Sequence, residues 1–156
     1  MSEFNVNFDA AALFGSGDID GLIKCISDKA NGIDSIFMLE DTLALKKTGK
    51  YSDDAPVMAA AMKIKPILSI DSEGEFVTVS KQRGVNFALQ YMADKVSGNL
   101  GDKTKVLICH ANVPEKASTL KELIAEKCSQ AEISVVTFSD DISEKFGKGA
   151  VAVLYF

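Results

Sequence analysis

The chain of 156 residues holds one histidine, three cysteines and fewer basic than acidic side chains, 17 against 22, giving a formal net charge of -5. Each shortage removes a class of function. A nucleic-acid partner needs a basic face that displaces counterions from phosphates, and a pI near 4.9 argues against one. The lone His110 has no nucleophile motif or metal-ligand set beside it in the sequence, so neither a catalytic nor a metal centre is expected. Cys25, Cys109 and Cys128 cannot all pair, and each lies in an apolar-periodic segment rather than at ligand spacing; they read as buried reduced thiols. No apolar run approaches the roughly 18 residues of a membrane span. The N-terminus also lacks a basic region followed by a hydrophobic core, so a cytoplasmic location is expected. Gly147-Lys148-Gly149 is not the full phosphate-loop pattern, and turn geometry accounts for its glycines. No repeat or low-complexity segment occurs, and no cofactor is expected.

What is present suffices for one core, since 47% of the residues are hydrophobic and the length fits one compact domain. Residues 1–17 read as a tail or an edge strand, with Phe4, Val6 and Phe8 alternating with polar residues, and residues 18–156 read as a single domain. Asp18 is the expected N-cap of a helix over residues 19–30, with Ile19, Leu22, Ile23 and Ile26 on one face and Asn31-Gly32 as the stop. Residues 33–39 hold the continuous run Ile36-Phe37-Met38-Leu39, expected of a strand covered on both faces. Glu40-Asp41 are expected to cap a short helix that carries Lys46 and Lys47 and ends at Thr48-Gly49. A second helix, with Pro56 in its first turn and Val57, Met58, Ala61 and Met62 on its apolar side, is expected to stop before Pro66.

Residues 67–70 and 76–80 then read as an antiparallel hairpin around Asp71-Ser72-Glu73-Gly74. Val85, Ala88, Leu89, Met92, Ala93 and Val96 mark an amphipathic helix ending near Gly98. Residues 105–109, a helix opened by Pro114, and residues 133–138 form a βαβ unit, with parallel strands and a right-handed crossover. Ser139-Asp140-Asp141 starts a short helix or turn. Residues 150–156 form a final strand too apolar for an exposed edge. The expected fold class is α/β to α+β, a mixed β-sheet holding the hairpin and the βαβ unit, with helices covering its faces.

Four stretches stand out in order: Leu45-Lys46-Lys47-Thr48-Gly49-Lys50-Tyr51-Ser52 with Ile64-Lys65-Pro66-Ile67-Leu68; the turn at residues 71–74 leading to Arg83-Gly84; Cys109-His110-Ala111-Asn112-Val113-Pro114-Glu115 with Ala117; and Gly147-Lys148-Gly149-Ala150. Together they resemble the C-terminal domain of the DegV family, bacterial fatty-acid-binding proteins, from about residue 36 to the end of the chain. The resemblance implies a non-catalytic lipid-binding domain that contributes one wall of a long-chain fatty-acid site. Family members have two domains with the acyl chain in a tunnel between them, and the first, whose hydroxyl-bearing residues hold the carboxylate, has no counterpart before Asp18. The family's G-G-R-I-S stands here as Thr48-Gly49-Lys50-Tyr51-Ser52, and Lys145 and Lys148 replace the His and Pro of its H…G-P-G ending. A lysine offers a point charge where arginine offers a bidentate fork.

By that resemblance the candidate ligand-binding residues are Lys50, Met58, Met62, Arg83, His110 and Lys145. Each has a plainer alternative: His110 as a loop anchor, Arg83 as a loop-ordering residue, the lysines as a solvated helix end, and Met58, Met62, Met92, Phe87 and Tyr91 as core. The alternative function is a protein-interaction or homodimerisation module that has lost lipid binding and covers its apolar face with a second copy or a partner domain.

Overall fold

In the computed structural model, residues 18–28, 31–40, 42–49, 51 and 63–156 are described. The expected strand near residues 4–8, the helix carrying Met58 and Met62, and Lys50 lie outside the described residues. Six strands, β1 (Asp34–Met38), β2 (Ile64–Ile70), β3 (Phe76–Arg83), β4 (Lys105–His110), β5 (Glu132–Thr137) and β6 (Val151–Tyr155), form one sheet in the order β3-β2-β1-β6-β4-β5. Only β4 and β5 pair in parallel; every other neighbouring pair is antiparallel. The mixed α/β sheet with its hairpin and βαβ unit is thus the architecture expected. The apolar run at the end of the chain explains its placement: β6, with all five residues buried, sits in the middle of the sheet between β1 and β4.

Five helices cover the sheet among the described residues: α1 (Ile19–Ser27), α2 (Leu43–Lys46), α3 (Val85–Asn99), α4 (Pro114–Lys127) and α5 (Asp140–Phe146). Strand alternation sorts the core into two layers. Phe37, Leu68, Phe76, Cys109, Ala152 and Leu154 meet α1, α2 and α5 on one face. Ile36, Met38, Ile67, Ile108, Val151 and Val153 meet α3 and α4 on the other. Asp18 caps α1 through its carboxylate, which accepts from the Gly21 N–H at 2.8 Å, and Ser139 caps α5 by accepting from the Ile142 N–H at 3.3 Å. Pro114 opens α4, where a missing N–H costs little. All three cysteines are buried, and burial pushes the Cys109 thiol well above its ordinary range.

Four expectations are corrected. α1 ends at Ser27, where Asp28 turns extended and the Asn31 amide donates to the Cys25 carbonyl at 2.9 Å. β2 begins at Ile64 and contains Pro66, so this proline does not stand before the strand. The Pro66 carbonyl accepts from the Leu39 N–H at 3.1 Å, and an irregularity in register between Ile67 and Leu68 follows it. β3 runs three residues beyond Ser80, because Lys81, Gln82 and Arg83 pair with Pro66, Lys65 and Ile64. Glu40 does not cap α2: Thr42 holds that position without a side-chain hydrogen bond.

The first layer centres on aromatic rings. Phe146 lies 5.3, 5.6 and 5.4 Å, centroid to centroid, from Phe37, Phe76 and Phe138, and fixes α5 to the sheet. Phe146→Ala is expected to cost about 3–5 kcal/mol in urea unfolding; a loss below about 1 kcal/mol would mean that the ring cluster does not hold α5.

Candidate site at the sheet end

Register brings four chain segments to one end of the sheet. Met38, Val151 and His110 are aligned across β1, β6 and β4. The ladder continues past them, with the Ala111 N–H donating to the Ala150 carbonyl at 2.9 Å and the Leu39 N–H to the Pro66 carbonyl at 3.1 Å. Glu40, one residue beyond Leu39, therefore meets Lys65, one residue before Pro66, and Gly149, one residue before Ala150. Lys116 arrives in the first turn of α4, directly after β4. The Lys65 ammonium donates to Glu40 Oε2 at 2.5 Å, and the Lys116 ammonium donates to Glu40 Oε1. Lys116 also reaches the Gly149 carbonyl at 3.4 Å.

Gly149 is required here. Its φ is +84°, and a Cβ on it would sit 2.8 Å from Glu40 Cγ and 3.3 Å from Lys116 Nζ. Burial pushes the Glu40 carboxyl up, but hydrogen bonds and charge from Lys116 and Lys65 outweigh it and leave the group below its ordinary value. A pocket of about 470 Å³ opens beside this ion cluster, with Val113 and Phe146 supplying apolar wall and Glu40, Glu115, Lys116 and Lys148 the charge.

Of the six residues expected to bind ligand, the three that are described do not line this pocket. Lys50, Met58 and Met62 fall outside the described residues. His110 is buried at the end of β4, and its Nδ1 accepts from the Val113 N–H at 3.0 Å, which ties down the loop into α4. Burial holds the imidazole below its ordinary value, with the Glu115 charge opposing, so the ring is neutral near pH 7. Arg83 is exposed at the end of β3, four strand positions from β4, a separation of roughly 19 Å at 4.8 Å per strand. Lys145 lies on α5, 3.9 Å from Asp141, and lines a separate depression with Ala44, Lys47, Thr48 and Glu144. Phe87 is 66% exposed on α3, whereas Met92 is fully buried core. In the sequence Glu40 reads only as a helix cap, and neither Lys65 nor Lys116 is singled out as a site residue; the one available signal was a carboxylate just past a buried strand.

The DegV family model, described as "Uncharacterised protein, DegV family", matches residues 7–156. The chain belongs to the DegV family. A DegV domain-containing protein of Streptococcus pyogenes serotype M1 is 28% identical over 132 residues, covering 84% of this chain and 47% of the relative. Among solved structures, a fatty acid binding DegV family protein from Streptococcus agalactiae is 27% identical, with a TM-score of 0.72 over 88% of this chain and 49% of that one. A DegV family protein from Ruminococcus gnavus, described with vaccenic acid, is 25% identical, with a TM-score of 0.66 over 86% of this chain and 47% of that one. The chain thus spans about half the length of the DegV relatives it matches. Among the described residues no helix is long and apolar enough to cross a membrane, and no group of three or more His, Cys, Asp or Glu side chains is placed to hold a metal ion.

The sign of the Glu40 shift sets a pH dependence. Its folded value lies below the ordinary 4.5, so its stabilisation is present above that pH and lost as pH falls through the folded value. Glu40→Gln should lower stability by about 1–2 kcal/mol at pH 7, and in urea titrations the gap to the unsubstituted protein should close as pH drops below 4.5. A gap constant from pH 7 to pH 3 would refute the ion-pair assignment.

Proposed function

We propose that this domain binds the acyl chain of a long-chain fatty acid and acts as a binder rather than a catalyst. The observation that carries this reading is a DegV fold whose sheet end joins an apolar wall, Val113 and Phe146, to ammonium groups at the same pocket. Fatty acids are amphiphiles, and such a pocket offers burial for methylenes together with a partner for a carboxylate. The fatty acid binding described for the Streptococcus agalactiae relative, whose chain is about twice as long, supports the same ligand class. It favours lipid binding over an interaction or homodimerisation module that has lost lipid binding.

Because this chain aligns with half of each relative, the reading gives it one wall of the ligand site, with a further domain or a second copy completing the enclosure. Lys50, Met58, Met62, Arg83, His110 and Lys145 stay proposed ligand contacts within it. Bacterial relatives and buried thiols suit a reducing bacterial cytoplasm as the place of action.

Delipidated protein, mixed with palmitate or oleate and measured by native mass spectrometry, should carry one acyl chain per polypeptide at roughly micromolar concentration. Absence of any acyl adduct with either ligand would overturn the reading.

A further inference from the structure

We propose that the Lys116 ammonium, held at the pocket wall by Glu40 and the Gly149 carbonyl, is the cation that receives the carboxylate of the acyl ligand. The assignment rests on the fatty-acid reading above and names the headgroup partner within it.

Lys116 stands in the first turn of α4, and its side chain is only 18% exposed, so its charge is shielded from solvent and salt far more than that of a surface lysine. An ammonium has three N–H donors. Two of them account for the contacts to Glu40 Oε1 and, at 3.4 Å, to the Gly149 carbonyl. The third has no acceptor among the described residues, and Lys116 lines the 470 Å³ pocket. Among the described residues, the immediate cluster sets two ammoniums, Lys65 and Lys116, against the single Glu40 carboxylate, a net positive charge of one. Glu115 also borders the pocket but is exposed to solvent.

The other cations nearby are less suited. Lys65 spends its charge on Glu40 and does not line the pocket. Lys148 lines it but is exposed, where long flexible side chains contribute little to holding an ion. Lys145 faces another depression and lies beside Asp141. Val113, partly buried, supplies apolar surface next to Lys116, with the buried Phe146 ring behind the pocket wall, so one molecule with an anionic head and a hydrocarbon tail meets both halves of the site.

The test compares two ligands with one tail, oleate and oleyl alcohol, by calorimetric titration of the full chain below the micellar range. Lys116→Gln should weaken oleate binding by about tenfold or more and leave oleyl alcohol within about twofold. Lys116→Arg, which restores the charge, should keep oleate within about threefold of the unsubstituted protein, and Lys127→Gln, an exposed site at the far end of α4, should change neither ligand by more than about twofold. Oleate binding unchanged in Lys116→Gln, or both ligands lost equally, would overturn the assignment of Lys116 while fatty-acid binding by the unsubstituted protein stands. If the unsubstituted protein binds neither ligand, the fatty-acid reading falls and this assignment falls with it.

Discussion

One carboxylate, shared between two lysines, closes the end of the sheet. Glu40 joins residues far apart in the chain, 25 positions from Lys65 and 76 from Lys116. Its partners belong to β2 and α4, and the space it occupies is left open by the missing side chain of Gly149 before β6. Removing the carboxylate would leave two ammoniums facing each other in a half-buried site, a far larger cost than losing one surface ion pair. The turn between α5 and β6, the start of α4 and the entry to β2 therefore depend on the same group. The pocket walls are parts of these segments, so the shape of the site follows from the ion cluster as much as from the sheet.

Beneath this polar layer the support is apolar. Phe146 belongs both to the ring cluster of the first core layer and to the pocket wall, so α5 cannot shift without altering the site. His110 does comparable work for α4, accepting from the Val113 backbone while its own burial keeps it neutral. A charged rim over rigid aromatic and aliphatic surface is the arrangement an amphiphile requires. The DegV relatives that this chain matches are about twice as long as it is.

Much of the fold was legible because it is written locally. The apolar run ending the chain announced a central strand, Asp18 announced its cap, Ser139-Asp140-Asp141 announced the start of a short helix or turn, and Pro114 marked the start of α4. Pro66 misled because the bias of a proline against helix says nothing about whether a neighbouring strand will donate to its carbonyl, as the Leu39 N–H does. Glu40 misled for a related reason: an acid before a helix reads as a cap, whereas its partners come from strands and a helix brought close only by sheet register. Lys116 was invisible in the sequence, since a lysine in a helical first turn ordinarily faces water. The family resemblance identified the fold, but the family's arginine and histidine positions are occupied here by Lys50 and Lys145, and the pocket beside Glu40 is lined by Lys116 and Lys148.

The most direct measurement is a double-mutant cycle on Glu40 and Lys116, with Glu40→Gln, Lys116→Met and the pair compared in urea unfolding at pH 7. A shared ion cluster predicts a coupling of about 1 kcal/mol or more, in the range found for contacting residues of one network. Additive losses, with coupling within about 0.3 kcal/mol of zero, would show that the two side chains act independently and that the sheet end is closed by other contacts.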